Sequence, residues 1–279
     1  MKPCLVCGSD YRPFNIPGLV SCTSCGFVSA DVALSNAELK ALYSRQYFQG
    51  EEYRDYIDDR PVIEKHFRGR LKKLLEFVPD PGSKSLFEIG SAYGFFLAVA
   101  REYFANVEGV DISTDAISYA TQELHLPAAE ADFLDYTPSY PIDVACLWDT
   151  VEHLESPHLY VEKLSRIMPT GGIIAITTGD MGSTVARMRG RHWRQIHPPT
   201  HLHYFSKQTV TDLLKRHGFR VCYSGSDGQY RSLATIAYVI LMIKHHQPAI
   251  YETLKRTGIL RFSLYLNLFD IMFIIARKQ

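Results

Sequence analysis

One short stretch, residues 86–97, restricts the folds open to this chain. It reads Leu-Phe-Glu-Ile-Gly-Ser-Ala-Tyr-Gly-Phe-Phe-Leu, so two apolar runs flank an interruption at Gly90 and Gly94. This pattern predicts a β-strand, a tight turn and an α-helix, because glycine permits a sharp bend and a close approach of the backbone to a ligand. The unpaired amides at the start of such a helix are suited to binding that ligand.

A second strand pattern follows and ends in an acid. Residues 107–113 read Val-Glu-Gly-Val-Asp-Ile-Ser, which places Asp111 17 residues after Gly94. A carboxylate at the tip of the second strand of a βαβ unit can accept hydrogen bonds from both hydroxyls of a ribose. The turn and the acid together indicate a ligand that contains a nucleoside.

The composition of the turn narrows the choice of nucleoside. A dinucleotide-binding turn requires G-x-G-x-x-G, whereas Glu88, Gly90, Ala92 and Gly94 alternate here. This order resembles the first motif of class I S-adenosylmethionine-dependent methyltransferases, (D/E)-x-G-x-G-x-G, with Ala92 in place of the middle glycine. The resemblance runs from about residue 61 to the C-terminus. It implies S-adenosylmethionine as cofactor and an α/β fold with a doubly wound, seven-stranded sheet whose last strand is antiparallel.

The same resemblance suggests further cofactor contacts. Residues 129–133 resemble the end of the third strand, where Asp132 would meet the adenine amino group and Phe133 would pack on the ring; a plain surface aspartate is the alternative. Residues 141–154, which include Trp148, resemble the fourth motif. The predicted cofactor-binding set is Glu88, Gly90, Ser91, Gly94, Asp111, Ile112, Asp132, Phe133 and Trp148.

Histidines are the candidates for the base that removes a proton from the methyl acceptor. Glu152 and His153 resemble a pair found in many small-molecule O-methyltransferases, and His201 lies in a later loop. Imidazole titrates near neutrality, so His153 and then His201 are the predicted catalytic bases. Two alternatives stay open: Glu152 and His153 could hold a divalent ion that lowers the pKa of the acceptor, and His201 could simply anchor its loop.

An arginine-rich loop precedes that histidine. Four arginines fall within residues 187–194. Residues 201–206 read His-Leu-His-Tyr-Phe-Ser before a predicted helix, and this pattern resembles a methyltransferase subfamily of cofactor, sugar and secondary-metabolite pathways. The pattern predicts that Arg191, Arg194 and His203 contact the substrate, with the arginines pairing with an acidic group. A solvated charged face is the alternative.

Two C-x-x-C-G motifs occupy the N-terminal segment. Cys4 and Cys7 are separated by 14 residues from Cys22 and Cys25, a spacing that predicts a closed, structural Zn²⁺ site with four thiolate ligands. The ribbon could recognise a substrate such as RNA or pack as a cap on the larger domain. Because Arg12 is the single basic residue between the motifs and phosphate binding needs several cations, packing is favoured.

The predicted domains are a zinc ribbon at residues 1–32, a helical linker or lid at 33–60 and a methyltransferase domain at 61–279. Residues 225–270 would form an insertion between the last two strands, serving as a substrate-side wall and a possible homodimer contact. The formal net charge is zero, which argues against a general nucleic-acid binder. No signal sequence is visible, and the apolar run at 233–243 is too short to cross a bilayer, so we expect a cytoplasmic protein without a membrane span.

These features favour a small-molecule methyltransferase that acts on oxygen. Two alternatives come from other classes: an RNA methyltransferase that uses the ribbon and the arginine loop, and a binding module that keeps the cofactor fold without catalysis.

Overall fold

The structure is a computed structural model that describes residues 3–32 and 56–279. Most of the predicted linker or lid, residues 33–60, therefore lies outside the described residues. The strands are β1 Tyr11–Pro13, β2 Leu19–Cys22, β3 Val28–Ala30, β4 Ser85–Ile89, β5 Asn106–Asp111, β6 Ala128–Glu130, β7 Val144–Trp148, β8 Ile173–Gly179, β9 His203–Tyr204, β10 Phe219–Ser232 and β11 Ser263–Lys278. The α-helices are α1 Arg60–Leu75, α2 Phe95–Ala100, α3 Thr114–Gln122, α4 Pro157–Ile167, α5 Thr184–Arg189, α6 Lys207–Arg216, α7 Leu233–Ala237 and α8 Pro248–Arg256.

Seven strands form the large sheet, in the order β10-β11-β8-β7-β4-β5-β6. Strands β4 to β8 are parallel, and β11 runs antiparallel between β8 and β10. The predicted fold class is confirmed, including the antiparallel last strand. The chain order reverses at β4, which lies between β5 and β7, so the carboxyl ends of these strands border the crevice where open α/β sheets bind ligands.

Continuous apolar runs explain why the central strands lie inside. Strands β7 and β8 are buried along their whole length, as expected for parallel strands that are covered on both faces. Helix α1 begins with Pro61 in its first turn and buries Leu71 and Leu74 against one face. Helix α2 is buried at every position, because it packs directly behind the turn that follows β4.

The N-terminal ribbon is joined to the larger domain by a shared sheet. Its order is β1-β2-β3-β9, and β9 comes from the loop region after β8, with Ser29 paired with His203. The Arg216 side chain of α6 donates a 2.9 Å hydrogen bond to the Val6 carbonyl. The ribbon therefore packs as a cap on the larger domain.

The segment predicted as an insertion is partly strand. Strands β10 and β11 remain paired as far as Ser232 and Ser263, so the helical part spans only residues 233–262. Several large apolar side chains in this region are exposed, among them Phe262 at 67% and Phe269 at 68%. Within residues 3–32 and 56–279, no helix has both the length and the hydropathy required to span a bilayer.

Candidate functional site

The turn between β4 and α2 has the backbone geometry that its sequence requires. Gly90, Ala92 and Gly94 all have positive φ, at 77°, 45° and 76°. A Cβ at Gly90 would lie 2.6 Å from the Thr150 side chain, and one at Gly94 would lie 2.6 Å from Leu126. Both glycines are therefore required by conformation and by space, whereas Ala92 adopts the left-handed region at some cost.

Asp111 is bonded to this turn. One carboxylate oxygen accepts a 2.8 Å hydrogen bond from the amide of Ala92, and the other accepts a 2.9 Å bond from the amide of Ser113. Burial raises the pKa of Asp111, and these amide hydrogen bonds oppose the rise. Each carboxylate oxygen has a second lone pair, so Asp111 can still accept hydrogen bonds from a ligand beside the turn.

Two buried polar groups next to the turn have no hydrogen-bond partner among the described residues. They are one carboxylate oxygen of Glu88 and the hydroxyl of Ser91, in residues that are 2% and 4% exposed. Burial, and then the charge of Asp111, raise the pKa of Glu88 well above its ordinary value. A buried polar group without a partner costs about 1–3 kcal/mol, so a polar ligand that supplies the missing partners would be stabilised here.

The other residues predicted to contact a cofactor lie along the same edge of the sheet, but their contacts are with protein. Ile112 follows Asp111 and is half-buried. Asp132 follows β6 and accepts hydrogen bonds from the amide of Leu134 at 2.8 Å and the hydroxyl of Tyr160 at 2.6 Å. Phe133 is 1% exposed and packs on Tyr160, with ring centroids 6.1 Å apart.

Trp148, the last residue of β7, is buried in the core. Its ring meets Phe96 at 5.1 Å and Phe273 at 5.4 Å, and its indole N–H has no hydrogen-bond partner within the described part of the chain. The roles predicted for Asp132, Phe133 and Trp148 toward a cofactor remain predictions.

A buried ionic cluster that the sequence did not reveal lies beside Trp148. Arg70 of α1 donates to Asp227 of β10 at 2.7 Å and to Asp149 after β7 at 2.8 Å. Its side chain is 2% exposed, and the guanidinium carbon lies 5.4 Å from the Trp148 ring centroid. The Arg70 guanidinium lowers the pKa of Asp149 although burial raises it. The sequence signal that could have revealed this cluster is an arginine next to Leu71, in a helix whose apolar residues Phe67, Leu71 and Leu74 recur at helical spacing.

The two predicted bases lie together. The rings of His153 and His201 are 4.6 Å apart, edge to face. Nδ1 of His153 is 2.8 Å from the carbonyl of Thr200, and Nδ1 of His201 is 2.9 Å from the carbonyl of Gln195. Burial lowers the pKa of His153 to about 4 and that of His201 to about 2.

Two of the predicted substrate contacts are engaged elsewhere. Arg194 makes a two-pronged ion pair with Asp270, at 2.9 and 3.2 Å. His203 is 7% exposed, and its ring nitrogens are 3.1 Å from the Ser29 hydroxyl and 3.3 Å from the Glu155 carbonyl, so it links the ribbon to the domain. Arg191 is exposed and contacts the neighbouring His192 at 3.1 Å.

The four ribbon cysteines fit a tetrahedral metal ion. Their sulfurs lie within 4.8 Å of one another, with Cys4 and Cys25 separated by 3.7 Å and Cys7 and Cys22 by 3.4 Å. A tetrahedral ion with bonds of about 2.3 Å holds its sulfurs about 3.8 Å apart, whereas a disulfide needs about 2.05 Å. The amides of Ser24 and Cys25 both point at the Cys22 sulfur at 3.4 Å. The donor set therefore suits Zn²⁺ as a structural ion.

The fold is that of a doubly wound α/β protein with a glycine turn and an acid at the reversal of strand order, the place where open α/β sheets generally bind ligands. Within that class, a family model described as a methyltransferase domain matches residues 63–224, more than half of the chain. The chain therefore belongs to this methyltransferase family. No curated protein matches the sequence.

Solved structures share the fold of this chain. A SAM-dependent methyltransferase from Archaeoglobus fulgidus is 20% identical with a TM-score of 0.54, and the match covers 80% of this chain and 99% of that one. A SAM-dependent methyltransferase from Thermotoga maritima is 16% identical with a TM-score of 0.51, covering 80% and 95% respectively. At these identities, the similarity establishes the methyltransferase fold.

Proposed function

We propose that this protein transfers a methyl group from S-adenosylmethionine to an oxygen of a small molecule. The observation that carries the proposal is the Gly90–Gly94 turn bonded to Asp111, next to the unpartnered polar groups of Glu88 and Ser91. When bound, S-adenosylmethionine supplies a methyl group on a positively charged sulfur, whose bond to carbon breaks as a lone pair of the acceptor oxygen forms the new bond.

The residues around the turn hold and orient the cofactor in this proposal. Asp111 would accept hydrogen bonds from the ribose hydroxyls, and Asp132 would face the adenine amino group. Glu88 and Ser91 would gain the polar partners that they lack in the described chain. Positioning of two reactants can contribute about 7–11 kcal/mol to catalysis, so this part of the protein would supply much of the rate enhancement.

The proton of the acceptor hydroxyl would go to His153, with His201 as the second candidate. A carbonyl oxygen can only accept, so Nδ1 of each ring carries the proton and Nε2 carries the lone pair. Both pKa values lie well below 7, which keeps both rings neutral. A base in this position accelerates proton removal by about 10²–10⁴-fold.

The substrate would carry an acidic group that Arg191 contacts. Arg194 is paired with Asp270 and His203 is buried against the ribbon, so Arg191 is the member of the predicted set that has no carboxylate partner among the described residues. The ribbon would act as a structural cap, because β9 already extends its sheet.

Isothermal titration calorimetry tests the cofactor assignment. We expect Asp111→Asn to weaken S-adenosylmethionine binding about 10- to 100-fold, since a hydrogen bond to a charged group contributes about 1.5–3 kcal/mol. Asp115→Asn, in the exposed first turn of α3, is the matched control and should bind normally. Equal affinities for the two variants, or no binding by the wild-type protein, would refute the assignment.

Methyl transfer itself is tested with labelled S-adenosylmethionine and fractionated cell extract. We expect a labelled small molecule whose new methyl group is bonded to oxygen by NMR. His153→Gln should lower kcat about 10²–10⁴-fold and leave cofactor affinity unchanged. Binding of the cofactor without transfer to any fraction would instead favour a non-catalytic module.

A further inference from the structure

Glu152, His153 and His201 form a compact group of metal-binding side chains. One possible ligand atom from each residue lies within 4.8 Å of those of the other two. Glu152 and His153 follow β7, whereas His201 lies 48 residues beyond His153 in the loop before β9. From these three side chains, we infer a second metal site, separate from the ribbon, that binds one divalent transition-metal ion.

The backbone holds the two segments together. The carbonyl of Glu152 accepts hydrogen bonds from the amides of Leu202 at 2.9 Å and His203 at 3.1 Å. The carbonyl of Thr200 lies 2.8 Å from Nδ1 of His153. These contacts bring His201 beside Glu152 and His153 without any ion, so the site is formed before it binds its ligand.

The hydrogen bonds of both histidines select the tautomer that a metal needs. Because Nδ1 of each ring faces a backbone carbonyl, Nδ1 must carry the proton and Nε2 presents the lone pair. A metal-binding histidine usually donates its other N–H to a carbonyl or a carboxylate, which fixes the orientation of the ring. His153 and His201 both meet this condition.

The buried carboxylate of Glu152 also points to a bound cation. Glu152 is 3% exposed, and one of its carboxylate oxygens has no hydrogen-bond partner in the described chain. A buried carboxylate without a partner is unfavourable, and coordination of a cation is one of the few ways to stabilise it. The orphan oxygen and two oriented imidazoles therefore point to the same ligand.

Two imidazoles and one carboxylate suit Zn²⁺, Mn²⁺, Fe²⁺ and Co²⁺. Three protein ligands leave at least one coordination position open. An ion with bonds of about 2.1 Å holds its ligands about 3.4 Å apart, so small side-chain movements would close the group around it. Both this site and the ribbon suit Zn²⁺, but Mn²⁺ suits only the nitrogen and oxygen ligands of this site and not the four thiolates.

The chemical consequence of this ion rests on the proposed function. A hydroxyl coordinated at the open position loses its proton more readily, and that proton would pass to solvent. In the ion-bound protein, His153 and His201 would then act as ligands, and the ion would take the place of the histidine base. Metal binding itself does not depend on methyl transfer.

Titration with Mn²⁺ tests the site, because Mn²⁺ prefers oxygen and nitrogen ligands and does not compete for thiolates. Mn²⁺ is added to the 279-residue protein after it has been loaded with one Zn²⁺ per chain. Binding is followed by the loss of the free Mn²⁺ signal in electron paramagnetic resonance. We expect one Mn²⁺ per chain, and at least tenfold weaker binding in Glu152→Gln and His201→Gln. His192→Gln, an exposed histidine upstream of the same β9 strand, is the matched control.

Pulsed electron paramagnetic resonance of the wild-type complex gives a readout that needs no variant. We expect couplings from two imidazole nitrogens, and their absence would overturn the site. Equal Mn²⁺ binding by wild type and both ligand variants would overturn it as well. Calorimetry of the wild-type protein with S-adenosylmethionine distinguishes the two proposals. If the protein binds Mn²⁺ but does not bind S-adenosylmethionine, the proposed function is refuted and the metal site is retained.

Discussion

The proposed cofactor side of the candidate site, around Glu88, Gly90 and Asp111, and the proposed acceptor side, around Glu152, His153 and His201, are built in different ways. On the cofactor side, Glu88, Gly90 and Asp111 lie within 24 residues of one another and act largely through backbone conformation and amide hydrogen bonds. On the proposed acceptor side, side chains come from distant segments, since His201 joins Glu152 across 49 residues. The ionic cluster of Arg70 is also long-range, because Arg70 pairs with Asp227 across 157 residues.

This difference predicts how each side responds to change. A turn set by local φ values and short-range bonds tolerates perturbation elsewhere in the chain. A cluster of buried charges depends on every partner, because removal of one leaves another charged group buried without compensation. Four measurements would break or sharpen this contrast.

Removal of the proposed Zn²⁺ from the four ribbon cysteines should have the largest effect. Structural zinc contributes on the order of 10 kcal/mol to the folding of small domains, so a chelator should open residues 3–32. Because β9 pairs with β3, hydrogen exchange should also speed up at His203 and Tyr204, on the acceptor side. Amides of β4 and β5 should keep their protection. Uniform loss of protection across both sides would contradict the contrast.

Arg70→Leu should lower the free energy of unfolding by about 3 kcal/mol, because it leaves Asp227, whose side chain is 11% exposed, without its counter-charge. Arg68→Leu on the same helix is the control. Arg68 pairs with Glu102 on the surface, with both side chains nearly half exposed, and such pairs contribute about 1 kcal/mol or less. Urea denaturation of both variants measures the difference, and equal losses would show that the cluster is not a buried ionic unit.

Acidification should weaken the attachment of the ribbon. Burial lowers the pKa of His203 to about 4 from its ordinary 6.5. Between these values the unfolded chain binds more protons than the folded one, so stability rises with pH through this window and is lost as pH falls. For one such histidine, the loss between pH 7 and pH 5 is about 2 kcal/mol.

Thermal unfolding at several pH values measures this loss. His203→Gln should flatten the dependence of Tm on pH, since glutamine does not titrate in this range. An unchanged pH profile in that variant would exclude His203 as a source of the acid sensitivity.

The smallest effect is expected at Ala92. Its φ of 45° suits glycine better than alanine, although glycine also adds entropy to the unfolded chain. Ala92→Gly should therefore stabilise the protein by about 0.5 kcal/mol. The same substitution at Ala98, inside α2, should destabilise it by about 1 kcal/mol. Differential scanning calorimetry compares the two, and equal destabilisation would show that the turn is not strained at Ala92.

The sequence alone determined the features that depend on neighbouring residues. The resemblance of residues 88–94 to a methyltransferase motif predicted the seven-stranded sheet and its antiparallel last strand, the glycines at 90 and 94 predicted the turn, and the spacing of four cysteines predicted their grouping. Each of these rests on local conformation or on a motif that lies within a few tens of residues, and the family match and the topology agree with the predicted fold.

Only the tertiary structure decided which charges meet. The sequence predicted Arg194 as a substrate contact, whereas the structure pairs it with Asp270. Arg70 stands among apolar residues in the sequence, and its partners Asp227 and Asp149 lie on β10 and after β7. His201 lies beside Glu152 because the amide of the next residue, Leu202, donates a backbone hydrogen bond to the Glu152 carbonyl, 50 residues earlier in the chain. Side-chain pairing over such distances follows from how the strands and loops pack in three dimensions, which no local pattern in the chain encodes.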